Sequence, residues 1–323
     1  MPKVSPSVLI IRLDAIGDAL ALTPLLAAFR RHELPVDLVM TRANAEIFTP
    51  LAARRILAAG VELRSSGRSN LAAIQRLGAE LRLNRYSHVL VATEDSAGYR
   101  LAAATGAPVR IGFLNAWGKP FKTLWANRLL TVGIYRSAGL DRRAPHECEV
   151  LFRLGEPLVN GECPTRDLDE LRPLLIDDSP PPDDRVAVQI TDKWERLGIP
   201  FEEVVEMVRR IGAAGTPRLF SPHNEEPYAQ RIAQATGLRV DTFGDAGTWK
   251  NAIAAAPAIV TPDSAALHLA GMIGTPVVAV FPPQRGYALQ VARWAPWASP
   301  HRILRADHGW PVRVDEALAQ LAL

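Results

Sequence analysis

Asp263, Ser264 and His268 bring a carboxylate, a hydroxyl and an imidazole to the start of one helical pattern, an arrangement suited to holding an anion. They lie between two short apolar runs, Ala258-Ile-Val260 and Val277-Val-Ala-Val-Phe281, of the β-branched kind that a sheet buried on both faces requires. Leu267, Leu269, Ala270 and Ile273 follow at helical spacing, and Gly274-Thr-Pro276 stops the pattern. The stretch predicts strand, helix and parallel strand, with Asp263 or Ser264 as the N-cap. In open parallel sheets a helix that starts beyond a strand's carboxyl end presents free N–H groups and a partial positive charge, which suits phosphate. Residues 263–268, Ala265 included, are the candidate phosphate site. Capping alone accounts for Asp263 or Ser264 taken singly, and an interior position accounts for His268. Their shared place at a strand end favours a ligand.

A second carboxylate of interest stands near the beginning. Ser7-Val-Leu-Ile-Ile-Arg-Leu13 reads as a buried strand, Asp14-Ala-Ile-Gly-Asp18 as a turn, and the residues to about 31 as a helix. Asp18 falls at the helix start, where its carboxylate can face the space above the strand and the helix dipole keeps it ionised. Asp14 fits the N-cap role equally well, and spacing does not choose between them. Thr23-Pro24 inside the helical pattern predicts an irregular start.

The elements that must position these groups alternate along the chain. In the first half, strands are expected at 36–40, 61–63, 87–92 and 109–113, with helices at 45–58, 71–83 and 146–154. Arg172-Pro-Leu-Leu-Ile-Asp-Asp-Ser-Pro-Pro-Pro-Asp-Asp-Arg185 is rich in proline and acid and reads as a linker. A second run follows, with strands at 185–190 and 218–220, helices at 201–212 and 225–236, and a short tail helix at 314–323 that can pack on either half. The expected class is α/β: two doubly wound Rossmann-like domains, 1–172 and 186–323, joined by a linker at 173–185 and facing each other across a cleft.

Composition excludes several classes. The chain has 323 residues, 48% of them hydrophobic and 22% charged, as in an ordinary globular protein with room for two cores. Cys148 and Cys163 form neither a disulfide framework nor a metal spacing. There is no signal-peptide pattern and no unbroken apolar run of about 18 residues, so a cytoplasmic location is expected. A net charge of +3 and a pI near 9.0 are too mild to argue for nucleic acid. The charge is unevenly placed: from 100 to 143, Arg100, Arg110, Lys119, Lys122, Arg128, Arg136, Arg142 and Arg143 face the single acid Asp141. Trp117, Phe121 and Trp125 interleave with them, so the segment suits an anionic amphiphile or a membrane surface, against the plainer reading of a solvated basic face.

The stretches Ile10-Ile-Arg-Leu-Asp-Ala-Ile-Gly-Asp-Ala-Leu-Ala-Leu-Thr-Pro-Leu-Leu26 and Asp263-Ser-Ala-Ala-Leu-His-Leu-Ala270 with Gly274-Thr-Pro276 resemble the two signature regions of the ADP-heptose:lipopolysaccharide heptosyltransferases, glycosyltransferase family nine. Their order and separation match, so the resemblance spans nearly the whole chain. It implies a GT-B fold, Asp18 as general base and residues 263–268 as the seat of the donor's pyrophosphate. Lys193-Trp194 looks like the family's Lys-x-Trp-Pro segment, although the proline comes only at Pro200. By that likeness Lys193 is a catalytic cation, and Thr191 and Lys193 are donor ligands. Glu225 or Glu226 would meet the ribose. Arg12, Asp14, Lys119, Lys122 and Arg128 would lie on the acceptor side.

The chain also departs from the pattern. Ala265 stands where the family has glycine, Pro282-Pro283 replace the usual Gly-Pro after the last strand, and Asp14 replaces a small neutral residue. The implied reaction is metal-independent transfer of a sugar, with inversion, from an ADP-sugar to an anionic glycolipid of the lipopolysaccharide core type, at the cytoplasmic face of the inner membrane. The donor is a substrate, and no further cofactor is expected. A transferase or epimerase using another nucleotide-sugar, or a non-catalytic binding protein, is the alternative.

Overall fold

The structure is a computed structural model that describes residues 6–59, 68–115, 118–136 and 145–321. It divides into two units, Met1–Thr165 and Arg166–Leu323.

Among the described residues the first unit has six parallel strands: β1 (Val8–Arg12), β2 (Val36–Thr41), β3 (Arg55–Ala59), β4 (His88–Val91), β5 (Val109–Leu114) and β6 (Val132–Tyr135). Their spatial order is β3-β2-β1-β4-β5-β6. The second unit repeats the plan with β7 (Ala187–Gln189), β8 (Arg218–Pro222), β9 (Val240–Phe243), β10 (Ile259–Pro262), β11 (Val277–Phe281) and β12 (His301–Arg305), ordered β12-β11-β10-β7-β8-β9. Counted from each unit's own first strand the two orders are the same. Each reverses direction between its first and fourth strands, β1 beside β4 and β7 beside β10. Chain crossings diverge there and leave a crevice at the strands' carboxyl ends, the position at which such sheets take ligands.

The continuous apolar runs sit where helices cover both faces. Val8 to Ile11 and Val277 to Phe281 are fully buried, as expected of central parallel strands. The helix Trp310–Ala319 joins the core of the second unit, where Trp310 stacks on Trp194 at 5.8 Å and donates to Glu203 at 2.6 Å.

Several expectations are corrected. Residues 45–58 are not one helix: a short helix, Arg42–Ala45, is followed by turns and then by β3. Leu174, Leu175 and Ile176, inside the expected linker, are buried, and Arg172 is tied to the Ile273 carbonyl at 2.6 Å. That stretch belongs to the second unit because its apolar triplet is packed rather than solvated. The expected strand at 61–63 lies outside the described residues.

Asp37 is the one acidic residue in the β2 run, and it is fully buried. Arg54 binds it through two hydrogen bonds of 2.9 and 2.8 Å, Arg55 reaches it at 3.1 Å, and the Tyr86 hydroxyl at 2.6 Å. Burial alone would raise its pKa, but the bonds from Arg54, Arg55 and Tyr86 overcome it and bring the value from 3.8 down to about 2. A depressed folded-state value means stability that is complete above about pH 4 and is lost as pH falls toward 2. Urea unfolding should show a loss of about 2 kcal/mol over that window in the wild type. Asp37→Asn should be less stable at neutral pH and show a shallower dependence, the remainder coming from other depressed carboxyls such as Asp183 and Glu94.

Candidate active site

In the first unit the chemistry gathers at the β1/β4 reversal. Arg12, the last residue of β1, is buried and spans the gap: Nη1 donates to the Ala92 carbonyl beyond β4, and Nη2 donates to the Asp18 carbonyl at 2.8 Å. Its guanidinium also meets two carboxylates, Asp14 at 3.3 Å and Asp18 at 3.5 Å. Asp18 lies on the one-turn helix Ile16–Leu20, whose N-cap is Ala15, so neither aspartate caps it. The longer helix Thr23–Arg31 then starts afresh, with Pro24 in its first turn where a missing N–H costs nothing.

The Asp18 side chain remains 35% exposed. Burial raises its pKa, Arg12 opposes that, Asp14 adds to it, and Arg136 opposes it again; the net shift is upward. A carboxylate that holds a proton more tightly than an ordinary aspartate is suited to general-base work.

A second group of charges lies beside it. Arg136, just after β6, donates to both Glu147 oxygens at 2.6 and 2.7 Å and to Glu94, after β4, at 3.1 Å. Lys119 meets Glu94 at 2.8 Å, and Lys122 donates to the Glu94 carbonyl at 2.6 Å. Of the three cations between 100 and 143 expected on the acceptor side, Lys119 and Lys122 are therefore engaged with a carboxylate from outside their own segment, Lys122 at 3.6 Å. Arg128 is exposed and has no ion-pair partner among the described residues. Glu94 and Glu147 were missed by sequence reasoning. Glu94 was findable, because it stands in the loop just beyond β4, which ends at Val91 at the reversal; Glu147 carried no such signal. On the helix Pro120–Asn127, Phe121 is 88% and Leu124 56% exposed, whereas Trp125 turns inward onto Tyr99. Trp117, Asp141, Arg142 and Arg143 lie outside the described residues.

In the second unit the corresponding reversal is β7/β10. Ser264 is the N-cap of the helix Ala265–Ile273, but its hydroxyl pairs with Thr261 at 2.8 Å instead of capping. The cap side chain thus leaves the first-turn amides, at Ala265 and Ala266, for another acceptor. Asp263 accepts from Gln290 at 2.8 Å and stands 3.7 Å from His268 Nε2, and the His268 ring lies 5.2 Å from Trp294. Gln290 and Trp294, on the helix Tyr287–Trp294, carry no motif by which sequence could have found them.

After β7, Thr191 and the Asp192 amide (2.8 Å) both donate to one oxygen of Glu225. Glu225 therefore anchors this loop, with its second oxygen 4.0 Å from Arg196. Lys193 opens the helix Lys193–Arg196 and meets no carboxylate among the described residues, while Trp194 beside it is core. Glu226 opens the helix Glu226–Thr236 and accepts from Gln230 at 3.1 Å.

No protein-family model matches the chain, and no curated protein matches it in sequence. Solved structures do match. A glycosyl transferase family 9 protein from Veillonella parvula aligns with a TM-score of 0.74 and 14% identity over 99% of this chain and 98% of its own. The E. coli heptosyltransferase WaaC with ADP aligns at 0.72 and 17% identity over 98% of this chain and 100% of its own. E. coli ADP-heptose lps heptosyltransferase II aligns at 0.68 and 16% identity over 98% of each. The chain has the fold of the family-nine glycosyltransferases. It is two Rossmann-like units of GT-B type, as the sequence led us to expect. The likeness gives the fold, and the chemistry must be argued from the residues at the two reversals.

Proposed function

We propose that this protein is an inverting glycosyltransferase that moves a sugar, heptose by preference, from an ADP-sugar to an anionic glycolipid of the lipopolysaccharide core type. The observation that carries the reading is the pairing of sites on one repeated plan. One sheet reversal holds a proton-accepting carboxylate, Asp18, and the other a helix start with Asp263, His268 and the nearby cation Lys193. Transfer from a nucleotide diphosphate needs both a base for the acceptor hydroxyl and fixed donors for the leaving diphosphate's charge. Amides and a lysine can supply the second without a divalent ion. The fold shared with a heptosyltransferase solved with ADP supports the donor class.

A panel of ADP-, GDP- and UDP-sugars, with and without chelator, tests the proposal. Turnover of ADP-heptose that survives chelation is expected, and transfer from none of the panel would sink it.

Two further results are expected. Lys193→Ala should weaken ADP binding about tenfold by calorimetry, and more at low salt, because a charged contact is screened. His268→Ala should weaken it less and with little salt dependence. The exposed Phe121 and Leu124, one turn apart and followed by Arg128, form a face that fits the anionic leaflet where such an acceptor lies. Phe121→Ser with Leu124→Ser should cut binding to anionic vesicles several-fold while leaving ADP affinity unchanged. Equal vesicle binding would make this face plain surface.

A further inference from the structure

Arg12 lies between two carboxylates. Asp14 Oδ2 stands 3.3 Å from Nη1 and Asp18 Oδ1 stands 3.5 Å from Nη2, while the same two nitrogens are anchored to the carbonyls of Ala92 and Asp18. The guanidinium is thereby fixed across the reversal and cannot swing to one carboxylate at the other's expense. Asp14 has no second cation among the described residues, and its Oδ2 is buried without a hydrogen-bond donor. Asn44 holds the Asp14 carbonyl at 2.9 Å, which keeps this loop beside Arg12. One buried positive charge shared by two negative ones leaves the trio net negative, and each carboxylate is less neutralised than in a simple pair.

We propose that Asp14 is a positioning carboxylate that takes part of Arg12's charge and so keeps Asp18 the stronger proton acceptor. The inference rests on the glycosyltransferase reading for its use. In that reaction the acceptor oxygen bonds to the anomeric carbon and its proton passes to Asp18. The bond from that carbon to the diphosphate breaks, its electron pair leaving on the phosphate oxygen. Asp14 touches none of these atoms. It acts through Arg12, and a base neutralised by an arginine of its own would take the proton less readily.

The other groups facing Asp18 come from separate elements. Arg136, after β6, favours its charged form, and Glu147, on the helix Glu147–Phe152, disfavours it. Glu94, after β4, shares Arg136 with Glu147. The Tyr99 hydroxyl is committed to the Phe113 carbonyl at 2.8 Å. Glu147 also feels the charge of Arg12, but among the described residues Asp14 is the acid that joins Asp18 within ion-pair distance of that guanidinium.

The test is a carboxyl-carbon NMR titration of Asp18 in the full chain, with the resonance assigned by its loss in Asp18→Asn. In Asp14→Asn, or in the smaller Asp14→Ser should the amide not be accommodated, the Asp18 midpoint should fall by about one pH unit. Asp14→Glu should restore most of it, and the acid limb of the transfer rate should move with the midpoint. An Asp18 midpoint that does not move in a folded Asp14 variant overturns the proposal. Absence of transfer in the wild type would defeat the enzymatic reading alone, because the titration requires no turnover.

Discussion

Asp18→Asn should lower the rate of sugar transfer by about 10²–10⁴ while leaving ADP affinity within a few fold, the loss that removal of a general base brings. The amide is nearly the same size and can still lie against Arg12 Nη2, so the one-turn helix and the bond from Arg12 to the Asp18 carbonyl should survive. What disappears is the proton acceptor, and a carboxamide cannot replace it. The wild-type rate should also fall toward acid, with a midpoint above that of an ordinary aspartate, because burial outweighs Arg12 in setting this carboxyl. Rates measured from pH 4 to 8 for both proteins check this. A wild-type limb without a counterpart in Asp18→Asn assigns the base. Equal rates in the two proteins would remove Asp18 from the chemistry.

What could be read from the sequence follows from where each element lies in its sheet. The central strands β1, β4, β7, β10 and β11 are buried on both faces and so appear as short apolar runs, and all were expected near their observed positions. The four edge strands were not. β3 was taken for helix, and β6, β9 and β12 were passed over. An edge strand pairs on one side and is covered less completely, so polar residues interrupt it, as in the Val-Asp-Thr-Phe of β9 and the His-Arg-Ile-Leu-Arg of β12.

The same physics divides the candidate site. Asp18, Asp263 and His268 were legible because each stands a few residues beyond a well-marked strand. Arg12 and Asp14, which act on Asp18, are near it in the chain, but other contacts that hold the site together come from far along it. Arg12 bonds to Ala92, Asp263 to Gln290 and Arg136 to Glu94, pairings that exist only once the sheet order is known. The basic segment is the instructive case. Its eight cations against one acid were counted correctly, yet Glu94 and Glu147 from outside its bounds take up Lys119, Lys122 and Arg136. A linear charge count could not show that.

Arg136→Met should destabilise the first unit by about 3–5 kcal/mol, because it strips a buried carboxylate of its two-bonded arginine. The Glu147 side chain is 1% exposed and Arg136 13%, and two short bonds join them. Burial already raises the Glu147 pKa against the pull of Arg136, and without that pull it rises further. A raised folded-state value means that the folded chain binds the proton more tightly than the unfolded one. Stability is then fully present at pH below the ordinary carboxyl value of 4.5 and is lost as pH climbs through the folded value. Urea unfolding of Arg136→Met should therefore give a higher midpoint at pH 5 than at pH 8, a slope steeper than in the wild type. Adding Glu147→Gln removes the stranded charge, so the double variant should recover much of the loss and flatten the slope, a coupling that distant sites do not show. Arg136 also favours the ionised form of Asp18, so in the single variant the acid limb of transfer should move to higher pH as well. Should the double variant be as unstable as the single one, the Arg136 contribution lies in its packing over Phe113 rather than in its charge.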